Sequence, residues 1–250
     1  MPYTIYRSCP RRIVRWTPVP TPKGVGRSCA GFVWSRPFFC SLAGNAMHKV
    51  VCLIDGFNLY HGIAKLDDEK YKWCNYRKLA KRFLEPHQNL VRVVYFTAYA
   101  DWVPERAAKH KKLVEALRGV GVDTVLGQFK EVTRFCAQCR KKYTAHEEKE
   151  TDVNLAAYLL HMAHMDQFDT ALVISADSDF ASVIALVRES FPRKKVGVVI
   201  PVKRWRSDRL ASVASFVRYM KEPDLRYSLL PEKITLKDGY TVVRPKQYNP

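Results

Sequence analysis

Apolar and polar positions fall into two kinds of block along this chain. The first kind is a short, unbroken apolar run: KVVCLI (49–54), RVVYFTAY (92–99), TALVIS (170–175) and KVGVVIP (195–201). Runs of this length bounded by turn residues read as strands buried on both faces. A further strand begins in GVDTVLGQF (121–129). The second kind has helical spacing. ERAAKHKKLVEALRGV (105–120) places Leu113, Ala116, Leu117 and Val120 on one face and Lys/Arg on the other. EKETDVNLAAYLLHMAHM (148–165) is expected to turn Val153, Ala156, Ala157 and Leu160 to the core. SDFASVIALVRES (178–190) has Ser178 placed to cap it, and DRLASVASFV (208–217) reads as a last helix. YRKLAKRF (76–83) and KHKK (109–112) read as solvated helix faces.

Strands of continuous apolar character alternating with helices predict an α/β fold, a parallel sheet covered by helices on both faces. Sites in such sheets lie outside the carboxyl ends of the strands. From about residue 221 the alternation stops. LLPEKITLKDGYTVVRP reads as a short hairpin with Asp238 and Gly239 in its turn. The expected organisation is a leader over 1–46, a domain over 47–220 and a C-terminal hairpin and tail over 221–250.

Composition changes this picture at the N-terminus. Residues 1–46 contain seven Lys/Arg, no Asp or Glu, and prolines at 2, 10, 18, 20, 22 and 37, without a helical or alternating period. They read as a disordered basic leader. GFVWSRPFFCSLAGNA has an apolar, small-residue ending like a signal segment, but Arg36 and Pro37 interrupt it. Met47 stands two residues before the first strand, so a start codon assigned too far upstream is an alternative origin for the leader. The formal net charge is +18. Of the 42 Lys/Arg, the 35 outside the leader face 24 Asp/Glu, so the excess survives without it and favours a polyanionic partner. Seven cysteines, an odd number, and only one C-x-x-C pair fit a reducing, cytoplasmic setting. No run of 18 apolar residues exists, and no membrane span is expected.

Carboxylates recur where the fold would place a site. Asp55 ends the first strand, Asp177 and Asp179 follow the fourth in VISADSDF, and Asp152 lies in the first turn of the helix before it. Each alone reads equally well as a cap or turn residue. Together, four acids at one sheet edge repel one another and raise pKa values unless a cation compensates. Mg²⁺ or Mn²⁺, with oxygen ligands, is the economical compensation. In a basic protein that combination points to phosphodiester hydrolysis.

LIDGFNLYHGI, EEKETDVNLAAYLL and ALVISADSDFASVI, in that order, resemble the three signature blocks of NYN domains. They are most similar to the bacterial LabA-like branch within the PIN-like nuclease superfamily. The resemblance covers about 48–220, and the LLPEKITLKDGYTVVRP tail also resembles that branch. It implies a three-layer PIN-like, Rossmann-like fold and a metal-dependent ribonuclease site. Asp55, Asp152, Asp177 and Asp179 match the family's acidic positions, Asn58 its Asn, and Ser175 its Ser before the acidic pair. Ala176 stands where the family usually has Gly. The resemblance implies Mg²⁺ or Mn²⁺ held principally by Asp55 and Asp177 and completed by Asp152 and Asp179. Asn58 and Ser175 would position water or a phosphate oxygen. It also implies in-line attack leaving a 5′-phosphate and a 3′-hydroxyl. Thr151 caps its helix or touches substrate.

Grip on RNA is expected from PVKRWRSDR (201–209), with Lys203, Arg204 and Arg206 around Trp205. The alternative is a solvated loop with Trp205 packed as a lid on the core. Cys136 and Cys139, with His146 seven residues on, count three of the four donors a structural Zn²⁺ needs. Zinc shared with a second chain, a redox pair and two idle thiols all remain open, as does a homodimer. His161 and His164 lack the H-E-x-x-H arrangement. GVGRSC (24–29) is no P-loop, and Asp55-Gly56-Phe57 lacks the second acid of a D-x-D phosphatase motif. Against the ribonuclease stands an RNA-binding, regulatory module with an idle acidic site.

Overall fold

The computed structural model describes residues 48–136, 138–139 and 141–249; the expectations for 1–46 lie outside them. Strands β1 (His48–Asp55), β2 (Gln88–Thr97), β3 (Asp123–Leu126), β6 (Thr170–Ile174), β7 (Lys195–Ile200) and β8 (Phe216–Tyr219) form one sheet in the order β3-β2-β1-β6-β7-β8. Every pairing in it is parallel. The remaining strands, β4 (Gln128–Phe135) with β5 (Lys142–Lys149) and β9 (Lys233–Thr235) with β10 (Thr241–Val243), are two antiparallel hairpins. The second turns at Gly239, whose φ is +86°.

Two cores flank the sheet, because alternate residues of each strand face opposite sides. Val50, Cys52 and Ile54 of β1 pack with Tyr95 of β2 under α1 (Gly56–Ala64), α2 (Tyr76–Lys81) and α3 (Pro104–Gly119). Val51 and Leu53 pack with Phe96 under α4 (Thr151–His164), α5 (Ala181–Ser190) and α6 (Asp208–Val213). This is the three-layer α/β arrangement expected from the apolar runs. The last short helix, α7 (Glu222–Arg226), adds Leu225 to the first core.

Five expectations about elements need correcting. The helix foreseen over 208–217 stops at Val213, and 216–219 form β8 instead. Gly197 explains the change. A Cβ there would stand 2.2 Å from the Phe216 ring, so glycine in β7 leaves the space this edge strand fills. Ser215 pins the register, its amide donating to the Val196 carbonyl (2.7 Å) and its hydroxyl accepting from the Val196 amide (3.0 Å).

The strand foreseen over 121–129 breaks at Gly127. There the chain leaves the sheet and enters the β4–β5 hairpin, which occupies 128–149. The following helix therefore starts at Thr151, not 148. Glu150 turns the corner with a left-handed φ of +78°. That helix also presents a different face. Leu155, Leu159, Met162 and Ala163 are buried, while Val153 is 71% exposed. Apolar residues surround α4 almost entirely, so two stripes were available. The one used is in helical register with Asp152, at spacings of three, seven and ten residues to 155, 159 and 162. The cap of the turn after β6 is Asp177, not Ser178; its carboxylate accepts from the Asp179 amide at 2.9 Å.

Candidate active site

The sheet's winding reverses between β1 and β6. From β1 the chain moves outward through β2 and β3, and later from β6 outward through β7 and β8. The crevice at the carboxyl ends of β1 and β6 is the switch point, where open α/β sheets bind ligands. Asp55 is the last residue of β1, and 175–179 are the first residues after β6.

Asp55 shares the parity of Val51 and Leu53, so it faces the α4 side of the sheet. It is 4% exposed. One carboxylate oxygen accepts from the Asn58 amide at 2.9 Å, capping α1. The other accepts from the Ser175 hydroxyl at 2.7 Å. Ser175, fully buried, in turn accepts from the Asp177 amide at 3.0 Å. A continuous relay thus runs Asp55–Ser175–Asp177–Asp179. Burial pushes the Asp55 carboxyl above its usual range, the bonds from Asn58 and Ser175 pull it down, and the charge of Asp177 raises it again.

Asp152 stands at the N-terminal end of the core-facing stripe of α4. The residue is exposed overall, yet its carboxyl is pushed up to about 6. The protein around the carboxyl contributes most, followed by the charges of Asp55, Glu148, Asp177 and Asp179. Glu148 is a fifth acid that sequence reasoning did not single out. Its carboxylate accepts from both the amide (2.9 Å) and the hydroxyl of Thr151. Thr151 is thereby the capped residue at the helix start. No period marks the strand that carries Glu148: KYTAHEEK (142–149) is largely polar on both faces, yet forms a strand ending beside α4.

Asn58 and Ser175 are brought to the carboxylates, but each already has protein partners. The Asn58 amide oxygen accepts from the Arg204 guanidinium (3.0 Å) and the Ala176 amide (3.4 Å). It ties the start of α1 to both loops of the crevice. Of the basic loop, only Arg204 reaches this network. Trp205 is 89% exposed, so it is not a lid on the core. Lys203 sits at a left-handed φ of +55°, and Arg206 pairs with Asp208 at 2.9 Å.

Cys136 and Cys139 lie at the tip of the β4–β5 hairpin. His146 is opposite Glu131, four residues down β5 from Lys142, which pairs with Phe135 at the tip. That is about 13 Å along the strand, and the imidazole is stacked on Trp102 at 3.8 Å and 7°. His146 therefore does not stand with the two thiols.

The donor chemistry at the crevice fits a hard divalent cation. The acids crowd one another, and among the described residues none of Asp55, Asp152, Asp177 and Asp179 has a Lys or Arg within ion-pair distance. Each oxygen of Asp55 keeps a lone pair beyond its one hydrogen bond. As placed, the side chains are not drawn into a shell: among the described residues, no three His, Cys, Asp or Glu stand together as a ready ligand set. Nor is any described helix long and apolar enough to cross a membrane.

Residues 49–220 match the family pattern described as the NYN domain. The chain is also similar to 6-hydroxy-3-succinoylpyridine 3-monooxygenase of Pseudomonas putida. The two are 23% identical over 205 residues, covering 68% of this chain and 64% of the relative. The chain thus spans less than two thirds of that protein's length. Among solved structures it is similar to a protein of unknown function from Vibrio parahaemolyticus. That likeness has 21% identity and a TM-score of 0.47, and covers 74% of this chain and 97% of the other.

Proposed function

Since the chain belongs to the NYN domain family, we propose that it is a metal-dependent ribonuclease of the LabA-like kind, hydrolysing RNA phosphodiester bonds at the β1/β6 crevice. The observation that carries this reading is the relay of carboxylates at the switch point, unpaired with any described basic side chain in a protein of net charge +18. Asp55 and Asp177 would hold Mg²⁺ or Mn²⁺, with Asp152 and Asp179 completing the site. A cation bound there would neutralise the carboxylates, polarise the scissile phosphate and make water a better nucleophile.

The chain's own residues do the rest. Ser175 holds Asp55 and the Asp177 backbone in one orientation. Asn58 anchors Arg204, whose remaining guanidinium N–H groups are free to donate to a phosphate oxygen. Lys203 and Arg206 add charge along the strand's path, and Trp205, standing in solvent, offers a face for a base. The oxygenase name belongs to the Pseudomonas protein, and nothing in this reading rests on it. Zinc at Cys136 and Cys139 would need two further donors from outside the described residues that surround the hairpin tip.

The test is cleavage of end-labelled single-stranded RNA in Mg²⁺, Mn²⁺ or chelator, with Asp55→Asn and Asp177→Asn alongside. Cleavage that requires metal and disappears in both variants is expected. RNA retained without any cleavage would replace the nuclease with an RNA-binding, regulatory module.

A further inference from the structure

A cavity of about 510 Å³ opens beside the crevice, on the other face of the same strand ends. Gly56 and Phe57, the two residues after Asp55, are part of its wall. Its floor is the end of β2, where Tyr95 and Thr97 face the α1 side, flanking the β2 residue that pairs with Asp55. Two helix faces frame it. On α1 these are Phe57, Tyr60 and His61; on α3 they are Arg106, Lys109, His110 and Leu113. Both sets follow the three-and-four spacing of a single helical face. Gly56 lets α1 start this close to the floor, because a Cβ there would meet the Phe96 carbonyl at 2.5 Å and the Tyr95 ring at 2.6 Å.

The lining has two chemical characters. Its inner part is aromatic, with a short polar array: His110 Nε2 lies 3.1 Å from the Tyr95 hydroxyl and 3.3 Å from the Thr97 hydroxyl. Burial keeps this imidazole neutral, with a pKa lowered to about 4. One ring nitrogen therefore remains an acceptor at neutral pH. The rim is cationic. Lys72 is committed to Glu69, but among the described residues Arg106 and Lys109 have no carboxylate within ion-pair distance. Flat apolar walls, a few convergent polar groups and uncommitted cations at the mouth describe a site for a planar ring carrying a phosphate.

We propose that this cavity is a nucleotide pocket, taking the base of a nucleoside 5′-monophosphate among its rings and the phosphate at Arg106 and Lys109. The choice of a nucleotide rests on the RNA reading above, whereas the geometry of the pocket does not. The unit has two possible sources: a nucleotide of the bound strand, swung out next to the carboxylates, or a free mononucleotide.

The experiment measures binding in chelator, by calorimetry, on the full chain carrying Asp55→Asn so that no cleavage intervenes. One arm titrates AMP and UMP; the other titrates a short 5′-phosphorylated single-stranded RNA. Arg106→Ala with Lys109→Ala, both changes near the surface, is expected to weaken binding about ten-fold or more in at least one arm. Ala100→Trp, which fills the cavity, should do the same. Lys111→Ala, on the opposite side of α3 where it pairs with Asp101, should change neither. Loss in the RNA arm alone assigns the pocket to a strand nucleotide, and loss in both admits free mononucleotide. Unchanged affinity in both arms for a folded double variant overturns the pocket. The two readings fail separately. Nucleotide held in the pocket of a protein that never cleaves RNA would overturn the nuclease alone. Cleavage with no response to the double variant would overturn the pocket alone.

Discussion

Ser175 has more to do than its size suggests. Its hydroxyl donates to Asp55 and accepts from the Asp177 amide, fully out of solvent. Ser175→Ala would leave a buried carboxylate and an amide each short of a partner, and hydrogen bonds to charged groups contribute about 1.5–3 kcal/mol. A loss of about 2 kcal/mol in urea unfolding is expected, together with loss of cleavage. Unchanged unfolding would mean that the relay does not hold Asp55. His110 makes a second prediction. Its pKa of about 4 in the folded protein lies below the roughly 6.5 of the unfolded chain. Between those values the unfolded state binds a proton that the folded state refuses, so stability falls as pH falls through that window. The urea midpoint should drop more between pH 7 and pH 5 for the native protein than for His110→Gln. The four aspartates were legible in the sequence because strand ends and a helix start are visible in the apolar pattern. Glu148 was not, because its strand is polar on both faces and its neighbour Thr151 looked sufficient as a cap.

At the scale of elements, periodicity located α4 but not its rotation. Apolar residues cover most of its surface, so Val153–Ala156–Ala157–Leu160 and Leu155–Leu159–Met162 were equally good stripes. The packing against Phe168, Phe180 and the α4 side of β1 chose the second. Two substitutions report that choice. Val153→Glu, at a position 71% exposed, should change stability by no more than about 0.5 kcal/mol. Leu159→Ala, fully buried, should cost about 2–5 kcal/mol. A reversed order in thermal unfolding would contradict the rotation and, with it, the placement of Asp152. The β4–β5 hairpin escaped detection for a related reason. It has almost no buried face of its own and is fastened to the body by aromatic contacts, Phe129 edge-to-face with Phe57 and Trp102, and His146 stacked on Trp102. Those contacts bring together residues far apart in sequence, where no local period records them. β8 was misread because a four-residue edge strand directly after a helical turn is too short to show alternation.

For the whole molecule, charge and topology act together. The class of fold was legible, since buried parallel strands have a sequence pattern that few other arrangements share. The basic excess favours a polyanionic partner without saying which surface it would meet. If RNA tracks along 203–206, affinity should fall linearly in log salt, by about 0.7 per phosphate contact for single strands. Lys203→Ala with Arg206→Ala should then reduce that slope by about 1.4. Trp205→Ala should leave the slope alone and cost about 1–3 kcal/mol if a base stacks there. Equal slopes for all three proteins, measured by fluorescence anisotropy, would place the strand elsewhere.

Asp55 and Ser175 meet across 120 positions of chain, and β1 finds β6 only through parallel pairing over the same span. Such non-local contacts form slowly and late. While the ribosome is still adding the second half, the first half carries Asp55 as a solitary acid beside two strands, with nothing opposite it. On the ribonuclease reading, a growing chain surrounded by RNA would be harmless, and cutting power would arrive in a single step, when β6 closes the crevice.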